Sequence, residues 1–487
     1  MGKKLLTWKA FGNILIVFLL LFIYTQISTR ILFTSVDFDE GYNLLVSYNL
    51  NYNYLDYSTF DTKFDTNITT GPALLVPASI FINHTHPLLP RIVMLIFAII
   101  FLFITNKYLF TNQIQKIIFL ICIILTPLFF FFSSHVLGEL PGFVFFLSSL
   151  IALSRKKYFW SGALLMLSIL AKQVYIFGIL AVMLEFLLIH IFSKNQRASI
   201  SRNTALFISG VLVILLSWYT YILISVNFSF QRFGGVIRDA WITSNTLSQP
   251  KLSLIDKRID MLGYVFGVQG LVFIFLIILI CRGVIKKLRQ NHIAVSLAFF
   301  SICYSLYFLF LGATNWYRHF FPVVLAMLII TPLLIDTILF EKKIKNILML
   351  GGILFLVFIS VTSSNIHKNT ISENKLIDQN LIFHHEKMWP FTDLDSLLIS
   401  QIKTAKIVKN LPIDSQVAGI SWWNTPEIAY LSGRKIYRDP FQKKTDYIIT
   451  HYYGRILGSQ DYQYLKLIKN KKEVFNSEGY NIYEIEK

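Results

Sequence analysis

Lys3, Lys4 and Lys9 stand before an apolar run from Phe11 to about Phe33, long enough to cross a bilayer core of about 30 Å and without a small-residue cleavage site. The pattern predicts a retained first helix. Comparable apolar runs follow at roughly 88 to 105, 115 to 132, 141 to 153, 159 to 171, 174 to 192, 204 to 226, 262 to 281, 293 to 312, 320 to 340 and 346 to 362. Windows of about 20 residues thus predict about eleven transmembrane helices, an α-helical polytopic membrane protein. The spans at 141 to 153 and 159 to 171 are short for the hydrocarbon thickness, and losing one inverts everything downstream.

Beyond about residue 363 the long apolar runs stop, and the pattern changes to that of a small α/β piece. The expected division is a transmembrane domain at 1-363, with a first outer loop at about 34-87, and a soluble α/β domain at 364-487. Within the latter the sequence predicts a helix at about 394 to 410 and a strand from Gln416 to Trp422. Thr425-Pro426-Glu427 reads as a helix start, strands follow at 435 to 438 and 446 to 450, and a hairpin spans Glu473 to Ile485.

Charge sets the orientation. With the N-terminus in the cytoplasm, alternate loops carry Lys107 and Lys116; Arg155, Lys156 and Lys157; Lys194, Arg197 and Arg202; Arg282, Lys286, Lys287 and Arg289; and Lys342, Lys343 and Lys345. Every second loop is basic, as the positive-inside rule demands. The same parity puts 34 to 87, 133 to 140, 227 to 261, 313 to 319 and the C-terminal domain on the extracytoplasmic side. The formal charge of +18 is thereby explained by topology, and no nucleic-acid partner is expected. A hydrophobic share of 55% and a mean hydropathy of +0.57 exclude an ordinary soluble enzyme. Cys122, Cys281 and Cys303 all fall in expected spans, which excludes a disulfide framework in the outer loops.

The candidate chemistry lies on the outer face. Asp37, Asp39 and Glu40 crowd the end of the first span, where carboxylates are either solvated or functional. Glu139 sits in a short loop between two spans, with His135 four residues earlier, on the same face if that loop is helical. Arg91, Lys172, Arg318 and His319 bring cations to the same side. Such a set suits transfer of sugar from a phospholipid: cations neutralise the leaving phosphate, and one carboxylate takes the acceptor's proton. Tyr42, Asn43, Tyr48, Asn49 and their neighbours to Tyr57 read better as an interfacial aromatic belt than as a sugar platform.

Several short motifs occur in a common order: Asp39-Glu40, Gly71-Pro72, Pro87-Leu88-Leu89-Pro90-Arg91, Glu139, Leu170-Ala171-Lys172 and Trp316-Tyr317-Arg318-His319-Phe320-Phe321-Pro322. In these the chain resembles the GT-C glycosyltransferases, the superfamily that includes protein O-mannosyltransferases and the bacterial transferases of aminoarabinose to lipid A. The resemblance implies a hexosyl or pentosyl transferase in the inner (plasma) membrane. Its donor would be a polyprenyl-phosphate sugar and its acceptor a glycan, lipid or protein. It implies a first outer loop with amphipathic helices, Asp39 as catalytic base with Glu40 as the alternative, and Arg91, Lys172 and Arg318 near the donor phosphate. Glu139 would help organise the site, with His135 and Glu139 as the ligands available to a divalent metal; the sequence leaves the metal open. Asp37 adds a carboxylate to the usual pair, and Glu139 stands where several relatives carry Asp. The rival readings are a lipid-carrier or polysaccharide transporter, which calls for repeats or broken helices charged at mid-membrane, and an oligosaccharide polymerase or ligase, which calls for a large late outer loop.

Overall fold

The computed structural model of the chain describes residues 2–52, 70–82, 86–124, 126–192, 200–225, 227–231, 234, 292–311, 320–339, 396–419, 426–437, 445–451, 468–477 and 480–485. Helix α1 (Gly2–Phe33) is followed after a four-residue link by α2 (Phe38–Tyr52), and α3 (Pro72–Ser79) leads to α4 (Leu88–Tyr108). In α4 the buried positions Arg91, Met94, Ala98, Phe101 and Thr105 recur every three or four residues, while Ile96, Ile99 and Phe103 stay exposed. One stripe faces protein and the other, equally apolar, is fit for lipid.

The run expected as one span at 115 to 132 is two helices, α5 (Gln113–Ile124) and α6 (Pro127–Ser134), bent by 80°. Pro127 offers no N–H and disfavours helical backbone in the residue before it, and Thr126 is accordingly extended at φ −114°, ψ 90°. Periodicity saw one apolar stretch; the proline cuts it.

Helices α7 (Glu139–Ser154) and α8 (Tyr158–Ala171) have 16 and 14 residues. At 1.5 Å per residue both fall short of about 30 Å. The shortfall is tolerable for α7 because nearly every residue on it is buried against protein. Helix α8 runs against α10 (Ile200–Ser225) through facing glycines: a Cβ on Gly162 would lie 2.0 Å from the Phe207 carbonyl oxygen, and one on Gly210 2.0 Å from that of Phe159. Small residues at a crossing let dispersion act between backbones where lipid removes the hydrophobic drive. Lys172 ends α8 in extended backbone, and a 3₁₀ turn (Gln173–Phe177) then opens α9 (Gly178–Phe192).

Helices α11 (His292–Leu311) and α12 (Phe321–Leu339) close the bundle. Glu185 on α9 is fully buried and ties the bundle to α11, bonding His292 Nδ1 and accepting from Ser296 Oγ at 2.7 Å. Phe132 stacks on Phe321 at 4.1 Å between ring centroids, and Tyr175 on Phe300 at 6.1 Å, so the core is largely aromatic. Among the described residues Ala10–Phe33, Leu88–Tyr108 and Ser201–Ile224 are long and apolar enough to cross a bilayer singly, and the bent α5–α6 pair brings the number to four. The expected spans at 262 to 281 and 346 to 362 lie outside the described residues. The chain is a multi-pass membrane protein.

The C-terminal part contributes α13 (Ser396–Asn410), β1 (Val417–Gly419), α14 (Pro426–Ser432), β2 (Ile436–Tyr437), β3 (Tyr447–His451), β4 (Lys472–Ser477) and β5 (Tyr480–Glu484). The sheet order is β2-β1-β3-β5-β4, parallel across β2, β1 and β3 and antiparallel beyond. A crossover through α14 suits the parallel β1–β2 pair, while β4 and β5, only two residues apart in sequence, pair antiparallel. The tryptophans Trp422 and Trp423 lie outside the described residues.

Candidate active site

The site is assembled where α1 ends, α2 begins and the turns before α7 and after α8 meet. Asp37 is the cap of α2: its Oδ1 accepts the Asp39 N–H at 3.0 Å, and its carbonyl starts the helical ladder by accepting from Gly41. An Asp at this position satisfies an orphan donor and places negative charge at the positive end of the helix dipole. Asp39, in the first turn, is half-buried, as is Asp37.

Glu40 is fully buried and differently used. Arg91 Nε donates to its Oε1 at 2.7 Å and Nη2 to its Oε2 at 2.5 Å, a two-pronged pair with both side chains out of solvent. The remaining guanidinium protons go to the carbonyls of Ile31, Thr34 and Ser35 and to Thr34 Oγ1, at 2.8 to 3.3 Å. Val136 N–H also donates to Glu40 Oε1 at 3.0 Å. Arg91 therefore gathers the C-terminal carbonyls of α1 and locks the first turn of α2 beneath them. All five guanidinium protons of Arg91 and both carboxylate oxygens of Glu40 are thus engaged within the protein.

Asn43, grouped by sequence with the aromatic belt, is 4% exposed. Its Nδ2 donates to the Val136 carbonyl at 2.7 Å and to Thr70 Oγ1 at 3.3 Å. Thr70 pairs with Lys172 as an isolated antiparallel bridge, and Gly71 N–H donates to the Ala171 carbonyl at 3.0 Å. Residues far apart in sequence are thus strung along one hydrogen-bonded line: Glu40, the Val136 peptide, Asn43 and Thr70, whose neighbour Gly71 bonds the Ala171 carbonyl beside Lys172. Nothing in the local pattern marked Asn43 or Thr70, because their partners come from other segments.

Lys172 Nζ lies 2.8 Å from Glu139 Oε1, both side chains being almost wholly buried. Tyr175 Oη donates to the Glu139 carbonyl at 2.5 Å and fixes the start of α7. The second oxygen of Glu139 is buried without a hydrogen-bond partner among the described residues. A buried carboxylate oxygen left so is costly, and a donor brought by a ligand would relieve that cost. His135 does not share a helical face with Glu139. It caps α6 in extended backbone, its Nδ1 directed at the Phe131 carbonyl (3.0 Å) and Ser134 Oγ (3.1 Å). Among the described residues no three His, Cys, Asp or Glu side chains cluster as a metal would require. Arg318 and His319 lie outside the described residues.

His86, just before α4, is half-buried, and its pKa is lowered by burial and then by the charge of Arg91. Burial also lifts Glu427, on α14, to about 8, with the Asp37 charge adding to the rise. Sequence reading saw Glu427 only as part of a helix start. Its nearness to Asp37 arises from docking of the C-terminal part, which no local pattern encodes.

A helical membrane bundle carrying a mixed five-stranded α/β unit is the class that this fold defines. Two crystal structures of ArnT from Cupriavidus metallidurans are similar to this chain in fold. The apo form superposes with a TM-score of 0.59 over 98% of this chain and 98% of its own, at 10% identity. The form bound to undecaprenyl phosphate gives 0.60 over 97% and 98%, at 11% identity. No protein-family model matches the chain, and no curated protein matches it. The likeness is one of fold, and it extends over nearly the whole length of both chains.

Proposed function

We propose that this protein is a GT-C-type glycosyltransferase that moves a sugar from a polyprenyl-phosphate donor to a hydroxyl of a glycan, lipid or protein acceptor. The reaction takes place at the extracytoplasmic face of the inner membrane, with the N-terminus cytoplasmic and the C-terminal α/β unit outside. The observation that carries this reading is the line of hydrogen bonds from Glu40 through the Val136 peptide, Asn43 and the Thr70–Gly71 segment to the strand end at Lys172, whose ammonium pairs with Glu139; it ties the helix that carries the half-buried Asp39 to a buried cation. The fold shared with a protein crystallised with undecaprenyl phosphate supports the donor class.

Asp39 is the general base: it is half-buried, and Asp37 and the helix start hold it in place. Lys172, together with Arg318, neutralises the phosphate as the glycosidic bond breaks, so that no general acid is required. Glu139 keeps Lys172 extended and offers its second oxygen to the donor's hydroxyls. Arg91 and Glu40 hold the base's helix from beneath.

The test is transfer of labelled sugar from polyprenyl-phosphate donors by the purified full-length protein and by Asp39→Asn. A loss of about 10²- to 10⁴-fold with donor binding retained is expected of a general base. Equal rates would move the role to Asp37. Absence of transfer by the unaltered protein from every donor offered would favour the transporter or polymerase readings.

A further inference from the structure

The C-terminal α/β unit reaches the acidic start of α2 by a built contact. Helix α14 lies on α2 so closely that a Cβ on Gly41 would stand 2.7 Å from the Glu427 backbone nitrogen. Gln401 on α13 grips the strand just before the acids at both its groups: its Oε1 accepts the Val36 N–H at 2.8 Å and its Nε2 donates to the Val36 carbonyl at 3.0 Å. The same Nε2 donates to Tyr480 Oη at 3.3 Å, and Tyr480 Oη donates to Glu427 Oε1 at 3.0 Å. A polar chain therefore runs Val36, Gln401, Tyr480, Glu427, all in the interface between the two parts.

Glu427 ends that chain unfinished. The residue is 2% exposed, and its Oε2 has no hydrogen-bond partner among the described residues. The carboxylate acting on it is Asp37, the cap of α2. Asp39 follows one turn position further along the same helix start, Tyr480 comes from β5, and Gln401 from α13 is uncharged. The lysines of α13, Lys403, Lys406 and Lys409, are exposed, and Glu484 of β5 pairs with Lys472. No cation among these described groups offsets a negative charge on Glu427. Burial first, and then the like charge of Asp37, make ionising Glu427 unfavourable, so the buried member keeps its proton.

We propose that Glu427 is a positioning residue: linked through Tyr480 and Gln401 to Val36, and seated with its backbone against Gly41, it makes the docked C-terminal unit set the first turn of α2 and with it the reach of Asp39. The role rests on the reading of Asp39 as base. A neutral Glu427 keeps the charge at the start of α2 on the helix cap, where the dipole favours it, and the unit can sit down on the acids without repulsion. Loss of that proton places a second buried charge beside Asp37 and drives the two parts apart.

One experiment separates this inference from the function it rests on. In the full-length protein in lipid nanodiscs, infrared difference spectra over pH 6 to 10 are expected to show a protonated carboxyl band that fades with a midpoint near 8. The band should be missing in Glu427→Gln and should fade at lower pH in Asp37→Asn, which retains a cap but removes the like charge. In the transfer assay Glu427→Gln is expected to keep the rate and to lose the alkaline fall. Glu427→Ala should lower kcat by roughly 10- to 100-fold with the donor KM unchanged, as for a misplaced base. A band that survives Glu427→Gln, or that ignores Asp37→Asn, overturns the proposal whatever the enzyme does. Failure of transfer in the unaltered protein overturns the functional reading and leaves the infrared result to decide the proton.

Discussion

Two buried ion pairs stand at the same end of the bundle and are finished to different degrees. Arg91–Glu40 is closed: each guanidinium proton has an acceptor, and both carboxylate oxygens are taken. Lys172–Glu139 is open, with one oxygen of Glu139 buried and waiting. A closed pair repays its desolvation through its own hydrogen bonds and can only hold; an open one carries an unmet cost that a ligand can relieve. The lesson is that charge in a membrane protein's interior is not by itself a sign of chemistry. The degree to which its polar atoms are satisfied separates scaffold from site.

The largest effect should come from breaking the closed pair. Arg91→Met leaves Glu40 charged, buried and alone, at a cost of about 3–5 kcal/mol, and thermal unfolding in detergent should show a correspondingly less stable or unrecoverable protein. Arg91→Lys should recover only part, because a point ammonium cannot copy the planar fork. The open pair should respond in function before stability. Glu139→Gln keeps the shape and an acceptor for Lys172 but leaves its buried ammonium without a counter-charge, so we expect a smaller loss of stability than for Arg91→Met and at least about tenfold weaker donor binding, measured by titration with the polyprenyl-phosphate sugar. If Arg91→Met is well folded, or Glu139→Gln unfolds like it, the distinction between closed and open is wrong.

Docking of the C-terminal part should vary with pH. The folded pKa of Glu427, about 8, is raised above the ordinary 4.5, so the folded form binds the proton more tightly. Its stabilising contribution is complete below the ordinary value and is lost as pH rises through the folded one. Hydrogen exchange at α13 and α14 should accelerate over that window, and Glu427→Gln should flatten the trend. Smaller still is the helix cap: Asp37→Ala should cost about 1 kcal/mol, and Asp37→Asn little, as read by local exchange in α2. At the foot of the scale, the exposed Lys472–Glu484 pair should contribute under about 1 kcal/mol and fade with salt.

Much of this was legible from the chain itself. Apolar runs and basic loops announced a multi-pass membrane protein, and the fold shared with ArnT agrees with that reading. The C-terminal pattern located helix Ser396–Asn410 and hairpin Lys472–Ser477 to Tyr480–Glu484 within a residue or two of their expected ends. These features are local: burial alternates with period 2 or 3.6, turns need particular residues, and hydrocarbon thickness sets a length, so each can be read in a window of a few turns. The acids and cations of the candidate site also stood out, since charge near a membrane span is scarce.

How each of them is partnered was decided only by tertiary structure. Sequence put Arg91 with the phosphate ligands and Glu40 beside the base; their mutual embrace depends on α4 meeting the end of α1. The role of Asn43 was invisible because its partners, Thr70 and Val136, lie 27 and 93 residues away. Glu427, near the far end of the chain, meets Asp37 only because Gln401 and Tyr480 bring the sheet down on α2. Satisfaction of a buried polar atom is a property of three-dimensional neighbours, and no one-dimensional pattern contains them.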